Sequence, residues 1–131
     1  MNNPALSWIA FFAVGLGGAV GCWLRWILAI AYNQRLAELP LGTLIANLVG
    51  GFLIGLVLGA FSHNTHWPVE WRLFLVTGFL GGLTTFSTFS AEAFGLLERG
   101  QVFYAFLHVA VHVIGSIGLC GIGFVVARWV T

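Results

Sequence analysis

The sequence predicts an all-α integral membrane protein with four transmembrane helices. Of its 131 residues, 60% are hydrophobic and only 7% are charged, and the mean hydropathy is +0.99. Soluble domains carry a charged fraction near a quarter, so this composition excludes them. A membrane-spanning helix needs about 20 mainly apolar residues, and four such runs are joined by short loops. We expect residues 1–131 to form a single four-helix transmembrane domain.

The few charged residues exclude two function classes. The chain has five basic residues and a net charge of +1, and its arginines are scattered, so no basic patch indicates nucleic acid as a partner. No nucleophile stands beside a base, and no metal triad is recognised, so nothing favours catalysis. We therefore predict a protein that is not an enzyme and that functions within the membrane.

The first two spans show faces suited to close helix packing. Span one extends from Trp8 to Tyr32, with aromatic anchors near both ends. Its Gly17 and Gly21 form a small-xxx-small pair, which lets another helix approach closely. Span two runs from about Gly42 to Phe61. Steps of four residues along it give a polar and then very small face, which we expect to meet protein and not lipid: Thr43, Asn47, Gly51, Gly55 and Gly59.

The third span, which opens at Arg72 and ends near Gly100, contains a stretch that fits a regular helix badly. Residues Gly81 to Ser90 include two glycines, two adjacent threonines and five hydroxyls, a composition that disfavours helix. Irregular backbone survives in a bilayer only where protein or a wet cavity surrounds it. We therefore predict that the third helix is broken mid-membrane and that the break marks a site.

The fourth span, Val102 to Ala127, carries a polar stripe at four-residue steps: Tyr104, His108, His112, Ser116 and Cys120. Together with spans two and three it offers many neutral donors and no carboxylate cluster. Amide, hydroxyl and imidazole donors suit a small anion that must shed its water. Hydrogen bonding between packed helices is the alternative for each single residue. For three converging faces we favour the anion path.

Aromatic and ionisable residues near the break allow more than one interpretation. Phe86 and Phe89 share a helix face amid hydroxyls; such pairs usually belong to a core, but ring edges also attract anions. His108 and His112 have the spacing of a metal-binding pair, but we identify no third ligand of suitable type. We interpret them as hydrogen-bonding or pore-lining residues. Glu92 is either a proton carrier or a partner of the broken span.

The arginines are divided almost evenly between the two sides of the membrane. With four spans, Arg72 and Arg128 lie on the side of the termini, and Arg25, Arg35 and Arg99 lie on the other side. The positive-inside rule therefore favours neither orientation of the chain. Insertion in both orientations would let two opposite copies pair about a two-fold axis in the membrane plane. We predict an antiparallel dual-topology homodimer.

An ordered set of motifs extends over nearly the whole chain. The most specific is Gly81 to Ser90 with Glu92 close behind it. The others are residues 17–26, the Gly42-Thr43-Leu44 run with Asn47, and the His-Val-Ile-Gly-Ser run that ends at Ser116. In this order they resemble the CrcB/Fluc family of small fluoride channels.

The resemblance implies a passive channel that is selective for fluoride against chloride. It would let fluoride leave the cell down its electrochemical gradient and so protect the cell from fluoride toxicity. The family likeness also implies two fluoride pores in an antiparallel homodimer of the inner or plasma membrane, with one structural Na⁺ ion at the dimer centre. The partners are then fluoride, a second copy of the chain and membrane lipid.

The resemblance also suggests roles for particular residues. Phe86 and Phe89 resemble the phenylalanine pair beside the fluoride path, and Asn47 resembles the pore asparagine. The backbone carbonyls of Gly81 and Thr84 resemble the Na⁺ ligands, supplied once by each subunit. Further matches at the pore, the break or the dimer contact are Arg25, Thr43, Thr85, Ser87, Thr88, Glu92 and Ser116. The chain departs from the family at His108 and His112, where tyrosine or serine is expected, and we place both on the fluoride pathway.

A proton-coupled small multidrug-type exporter is the alternative function, because such proteins are also short and four-spanned. It would use Glu92 as its proton carrier. Fluoride efflux driven only by the fluoride gradient distinguishes the channel from an exporter that requires a proton gradient. A structural scaffold without a pore predicts neither activity.

Overall fold

The computed structural model describes residues 4–36, 38–63 and 67–130, and its regular elements there are all helices. A short 3₁₀ turn at Pro4–Leu6 precedes α1 (Trp8–Tyr32), α2 (Leu41–His63), α3 (Val69–Arg72), a π-helical segment (Leu73–Leu80), α4 (Gly81–Leu83), α5 (Phe86–Glu98) and α6 (Val102–Val130). Four segments are long and apolar enough to cross a membrane: Trp8–Tyr32, Leu41–Ser62, Val69–Glu98 and Val102–Val130. The predicted all-α class with four spans is confirmed.

Two span ends differ from the prediction by three residues each. The third span begins at Val69, directly after Pro68, and not at Arg72. Helix α6 continues beyond Ala127 to Val130 because a basic residue in the last helical turn, here Arg128, is favourable. The sequence also gave no indication of the π-helical geometry of Leu73–Leu80.

Helix α1 packs closely against the third span. Its start is capped by Ser7, whose Oγ accepts a hydrogen bond from the Ala10 N–H at 3.1 Å. A Cβ atom added at Gly17 would lie 2.9 Å from the Phe79 nitrogen, and one added at Gly21 would lie 2.7 Å from the Leu83 nitrogen. The predicted close approach at this glycine pair is confirmed.

Helices α2 and α6 pack along each other through the small face of α2. A Cβ at Gly51 would lie 2.7 Å from the Ser116 carbonyl oxygen, and one at Gly59 would lie 2.7 Å from that of Phe124. No side chain fits between these backbones. The prediction that this face of α2 meets protein is confirmed.

A tight turn joins α5 to α6 and makes them antiparallel neighbours. Gly100 has a φ of 72°, a left-handed conformation that glycine adopts without steric cost. Its N–H bonds to the Leu97 carbonyl at 2.9 Å, and the Gln101 N–H bonds to the Leu96 carbonyl at 2.9 Å. These two bonds form a Schellman motif, which ends α5 and returns the chain along it.

The buried apolar cluster lies next to Thr84 and Thr85, where the third span departs from helical structure. Ala46, Leu80 and Leu83 are buried together, and these residues come from α2, the π-helical segment and α4. Partly buried side chains pack around them: Leu28, Leu53, Ile54 and Phe79. This packing holds α4 against α1 and α2 and so positions the residues that follow it.

Candidate functional site

The helical backbone of the third span is interrupted at Thr84 and Thr85. Thr84 has φ −86° and ψ 154°, and Thr85 has φ −149° and ψ 121°, so both are extended. The Thr84 hydroxyl donates to the Leu80 carbonyl at 2.9 Å. The Thr85 hydroxyl accepts from the Thr88 N–H at 3.1 Å and thereby caps α5. Side chains thus replace part of the hydrogen bonding that the helix loses here.

Asn47 on α2 binds the interrupted backbone with both ends of its amide. Its Nδ2 donates to the Thr85 carbonyl at 3.1 Å, and its Oδ1 accepts from the Thr85 N–H at 2.8 Å. A carboxamide has two N–H donors, so one N–H of Asn47 remains beyond this pair of bonds. The two bonds to Thr85 therefore hold the remaining N–H donor of Asn47 in a fixed position.

Two carbonyls beside the interruption lose the donors that a continuous helix would supply. In an α-helix the N–H of residue i bonds to the carbonyl of residue i−4. The Thr85 N–H would therefore donate to the Gly81 carbonyl, and the Thr88 N–H would donate to the Thr84 carbonyl. The Thr85 N–H instead bonds to Asn47, and the Thr88 N–H bonds to the Thr85 hydroxyl. Both carbonyl oxygens are therefore left without their helical donors.

Arg25 reaches the same region from α1. Its Nε donates to the Gly82 carbonyl at 3.0 Å. A guanidinium is well suited to the free carbonyls at the end of a helix, where the partial charge is negative. Within one chain, Arg25 therefore stabilises the end of the helix just before the interruption.

A cavity of about 570 Å³ lies beside the interruption. Its lining includes many of the predicted site residues: Asn47, Gly81, Thr84, Thr85, Phe86, Phe89, His112 and Ser116. Sequence reasoning did not assign the other lining residues to the site, although it placed Gly51 on a protein-facing helix face: Gly50, Gly51, Ile54, Val76, Leu80, Val113 and Ile117. None of them has a polar side chain, and only their helical proximity to the polar positions could have indicated them.

Four residues predicted on the fluoride pathway lie outside the described lining of the cavity: Thr43, Ser87, Thr88 and His108. The hydroxyls of Ser87 and Thr88 lie 3.2 Å and 3.1 Å from the Thr85 hydroxyl, at the start of α5. Thr43 is buried on α2 and donates to Glu92 Oε1 at 2.6 Å. Within the single chain, Ser87 and Thr88 thus contact a residue of the cavity lining, and Thr43 binds Glu92.

Phe86 and Phe89 have different environments although their rings are neighbours. The ring centroids lie 5.5 Å apart, but Phe86 is 79% exposed and Phe89 is 8% exposed. Phe89 stacks on His108, at 5.3 Å with an interplanar angle of 15°, and lies 4.9 Å from the His112 ring. The two histidines thus support Phe89, while Phe86 faces outward from the single chain.

Glu92 completes a cluster that the sequence interpretation did not foresee. One ligand-type atom from each of Glu92, His108 and His112 lies within 4.8 Å of the others. The sequence analysis identified no third residue of ligand type for the histidine pair, and the structure places Glu92 beside it. Glu92 precedes Gly100 by eight residues and His108 follows it by eight. Equal spacing about a hairpin turn places two residues opposite each other, and this signal could have found the cluster.

Asn33 is a second residue that sequence reasoning missed. Its Oδ1 accepts from the Thr43 N–H at 3.0 Å, and its Nδ2 donates to the Thr43 hydroxyl at 3.3 Å. The end of α1 thus orients the hydroxyl that binds Glu92. A polar residue just after an apolar span was the only available signal.

The sequence model described as "CrcB-like protein, Camphor Resistance (CrcB)" matches residues 12–124. The chain belongs to the CrcB-like family. The match includes the interruption, the cavity lining and the cluster around Glu92. Together with the four apolar spans, it makes this CrcB-like protein a multi-pass membrane protein.

Close CrcB-like relatives cover almost the whole chain. The fluoride-specific ion channel FluC of Ralstonia pickettii (strain 12J) is 50% identical over 123 residues, which are 94% of this chain and 98% of the relative. That of Bordetella avium (strain 197N) is 53% identical over 118 residues, 90% of this chain and 92% of the relative. That of Cupriavidus metallidurans is 52% identical over 115 residues, 88% and 91% respectively.

Proposed function

We propose that this protein is a fluoride-selective channel, which lets fluoride leave the cell down its electrochemical gradient and so protects the cell from fluoride toxicity. The observation that carries the proposal is the identity of 50–53% to relatives named fluoride-specific ion channels. The cavity supports the proposal, because it lies where an apolar span loses the regular backbone hydrogen bonds of a helix. Polar groups there can replace water around an anion.

The fluoride path runs, in this proposal, along the cavity beside Asn47. Fluoride holds its water strongly, so the path must supply donors that are already in place. The spare N–H of Asn47 is held in position by the two bonds to Thr85. The Ser116 hydroxyl and the edges of Phe86 and Phe89 line the same cavity, and ring edges carry partial positive charge.

The proposal includes an antiparallel homodimer with two pores and with the interruption near the middle of the membrane. The even division of the arginines supports the two opposite orientations. The ring of Phe86 is exposed beside the cavity, so a second copy of the chain at this surface would cover both the ring and the cavity. In this arrangement each cavity is completed at the dimer contact.

A structural Na⁺ ion, which the family resemblance implies, fits the carbonyls of Gly81 and Thr84. Both have lost their helical donors, because the Thr85 and Thr88 N–H groups bond elsewhere. Hard cations prefer such neutral oxygen ligands. Two copies of the chain would supply four carbonyls, and the bound ion would join the two interrupted helices.

Liposomes loaded with fluoride and with chloride test the function directly. A fluoride electrode and a chloride electrode record release while valinomycin carries potassium to balance the charge. We expect rapid fluoride release without an imposed proton gradient, and no chloride release. Absence of fluoride release, or release that requires a proton gradient, would contradict the channel. The exporter alternative predicts the second result, and the named relatives do not favour it.

The variant Phe86→Ile tests the path within the same assay. Because Phe86 is 79% exposed, isoleucine should leave the fold of the chain intact. Loss of the ring edge should slow fluoride release about tenfold, equivalent to roughly 1.4 kcal/mol. Phe94→Ile is the matched control, since Phe94 lies on the same helix, is 67% exposed and is outside the described cavity lining. Equal rates in the two variants would exclude the Phe86 ring from the path.

A further inference from the structure

Three side chains of metal-ligand type meet between α5 and α6. Ligand-type atoms of Glu92, His108 and His112 lie within 4.8 Å of one another. Glu92 Oε2 lies 3.6 Å from His108 Nε2, and the two imidazole centroids are 4.3 Å apart. In a tetrahedral zinc site with bonds of about 2.1 Å, neighbouring ligand atoms are about 3.4 Å apart. Small side-chain rotations therefore suffice to reach that geometry.

The contacts outside the cluster orient two of these ligands. His112 Nδ1 lies 3.0 Å from the His108 carbonyl oxygen. Because a carbonyl only accepts, Nδ1 carries the hydrogen and donates it, and the lone pair of the neutral ring lies on Nε2. Thr43 donates to Oε1 of Glu92 at 2.6 Å, which leaves Oε2 on the side of the histidines. Metal-binding histidines and carboxylates are typically oriented by such second contacts.

The atoms that face one another in the cluster lack other partners. Within the described residues, Glu92 Oε2, His108 Nε2 and His112 Nε2 are buried without a hydrogen bond. His108 is 0% exposed and His112 is 5% exposed. Buried polar atoms are normally satisfied, and a carboxylate within a membrane span is costly unless a positive charge accompanies it. The Glu92 side chain is 15% exposed, but its Oε2 atom is buried, and lone pairs that converge on this oxygen indicate a cation.

We propose that Glu92, His108 and His112 form a binding site for a divalent transition-metal ion, with Zn²⁺ as the preferred occupant. Two imidazoles and one carboxylate are a ligand set that zinc accepts, with a fourth position for another ligand. Mg²⁺ and Ca²⁺ prefer oxygen ligands alone, so they should not compete. The site is separate from the carbonyls proposed for Na⁺ and goes beyond fluoride conduction.

The proposed metal site adjoins the wall of the cavity. His112 and Phe89 line the cavity, and Phe89 packs against both histidine rings. An ion bound there would hold the two rings that support Phe89.

Direct metal binding tests the site without reference to transport. The full chain, free of any affinity tag and treated with a chelator, is titrated with Zn²⁺ in competition with a chromophoric chelator. We expect one Zn²⁺ bound per chain and no competition from a large excess of Mg²⁺. Co²⁺ should give the visible absorption bands of a four-coordinate ion, and Zn²⁺ should remove them. The Co²⁺ spectrum uses the unaltered protein, so it does not depend on the folding of any variant.

Substitutions assign the binding to the three ligands. His108→Gln, His112→Gln and Glu92→Gln should each weaken Zn²⁺ binding by more than about 100-fold, beyond the loss typical of outer contacts. Thr43→Val should weaken it by about tenfold, and Thr43→Ser, which keeps the hydroxyl, should restore it. The matched control is His63→Gln with His66→Gln, because these are the other two histidines of the chain. That control should bind Zn²⁺ like the native chain.

Two results would overturn the proposal. The first is native protein that binds no Zn²⁺ and shows no Co²⁺ bands, as expected if the cluster holds only a proton. The second is Zn²⁺ affinity that survives in the three ligand variants but is lost in the His63 and His66 control. Helix content and elution volume, measured for each variant, separate loss of a ligand from loss of the fold.

Discussion

At the scale of single residues, Asn47 shows how one side chain can make irregular backbone tolerable in an apolar span. The interruption frees the N–H of Thr85, and lipid offers no partner for it. The Asn47 Oδ1 accepts from this N–H at 2.8 Å, and the Asn47 Nδ2 donates to the Thr85 carbonyl at 3.1 Å. Its remaining N–H is thereby directed by the same bonds that stabilise the fold. Structure and proposed conduction depend on the same group.

Asn47→Asp should therefore reduce fluoride flux. The carboxylate can still accept from the Thr85 N–H, but it cannot donate to the Thr85 carbonyl, and its charge repels an anion. A loss of about 1.5–3 kcal/mol, or about tenfold to a hundredfold in rate, is expected. Electrode recording of fluoride release from liposomes measures it. Gln101→Glu makes the same chemical change in the α5–α6 turn and should leave the rate unchanged; equal losses in both variants would contradict a local role for Asn47.

At the scale of elements, the contact between α2 and α6 depends on the absence of side chains at particular positions. Gly55 faces the backbone of α6, where an added Cβ would lie 2.9 Å from the Phe124 nitrogen. Gly118 on α6 has no atom within 4 Å of such a Cβ. Two glycines in neighbouring helices thus have opposite structural roles, although their local sequences are equally apolar.

Gly55→Ala and Gly118→Ala should consequently change stability in opposite directions. Overpacking at Gly55 should cost about 1–3 kcal/mol, whereas alanine at Gly118 gains helix propensity of up to about 1 kcal/mol. The midpoint of thermal unfolding in detergent, followed by tryptophan fluorescence, should fall for the first variant and rise for the second. Midpoints that fall equally in both would show that the packing of α2 on α6 does not decide the effect.

At the scale of the whole molecule, the arginines are divided so evenly that neither orientation is strongly favoured. Arg35 and Arg99 lie in or next to the loops on one side, and Arg72 and Arg128 lie near the ends of spans on the other. Large apolar side chains such as Phe11, Ile30 and Phe106 are exposed along the helices. Such exposed apolar side chains suit a protein whose helices cross a membrane.

A cysteine placed after Thr131 should be labelled from both faces of the membrane by an impermeant maleimide. The experiment needs a background in which Cys22 and Cys120 are serine, and intact cells compared with inverted vesicles. Three added lysines at the same end should favour one orientation, because positive charge resists translocation. Fluoride release should then decrease unless an oppositely biased copy is supplied. Labelling of the unmodified end from one face only would contradict dual insertion.

Hydropathy and composition were sufficient for the coarse fold. Each span is an apolar run of about 20 residues, and such a signal is summed over the whole run, so errors at single positions hardly affect it. The closely packed faces around Gly17 and Gly51 were predictable for a related reason, since small residues at four-residue steps repeat a local pattern. The exact span ends and the π-helical segment were not predictable in this way.

The sequence by itself determined the four spans, the position of the irregular stretch and the family resemblance, because each is encoded in residues that are neighbours along the chain. Only the tertiary structure decided that Asn47 binds Thr85, that Arg25 binds Gly82, and that Glu92 joins His108 and His112. Those contacts depend on which helix faces meet. Helix faces are paired by packing over the whole molecule, and a linear sequence shows the faces but not their partners.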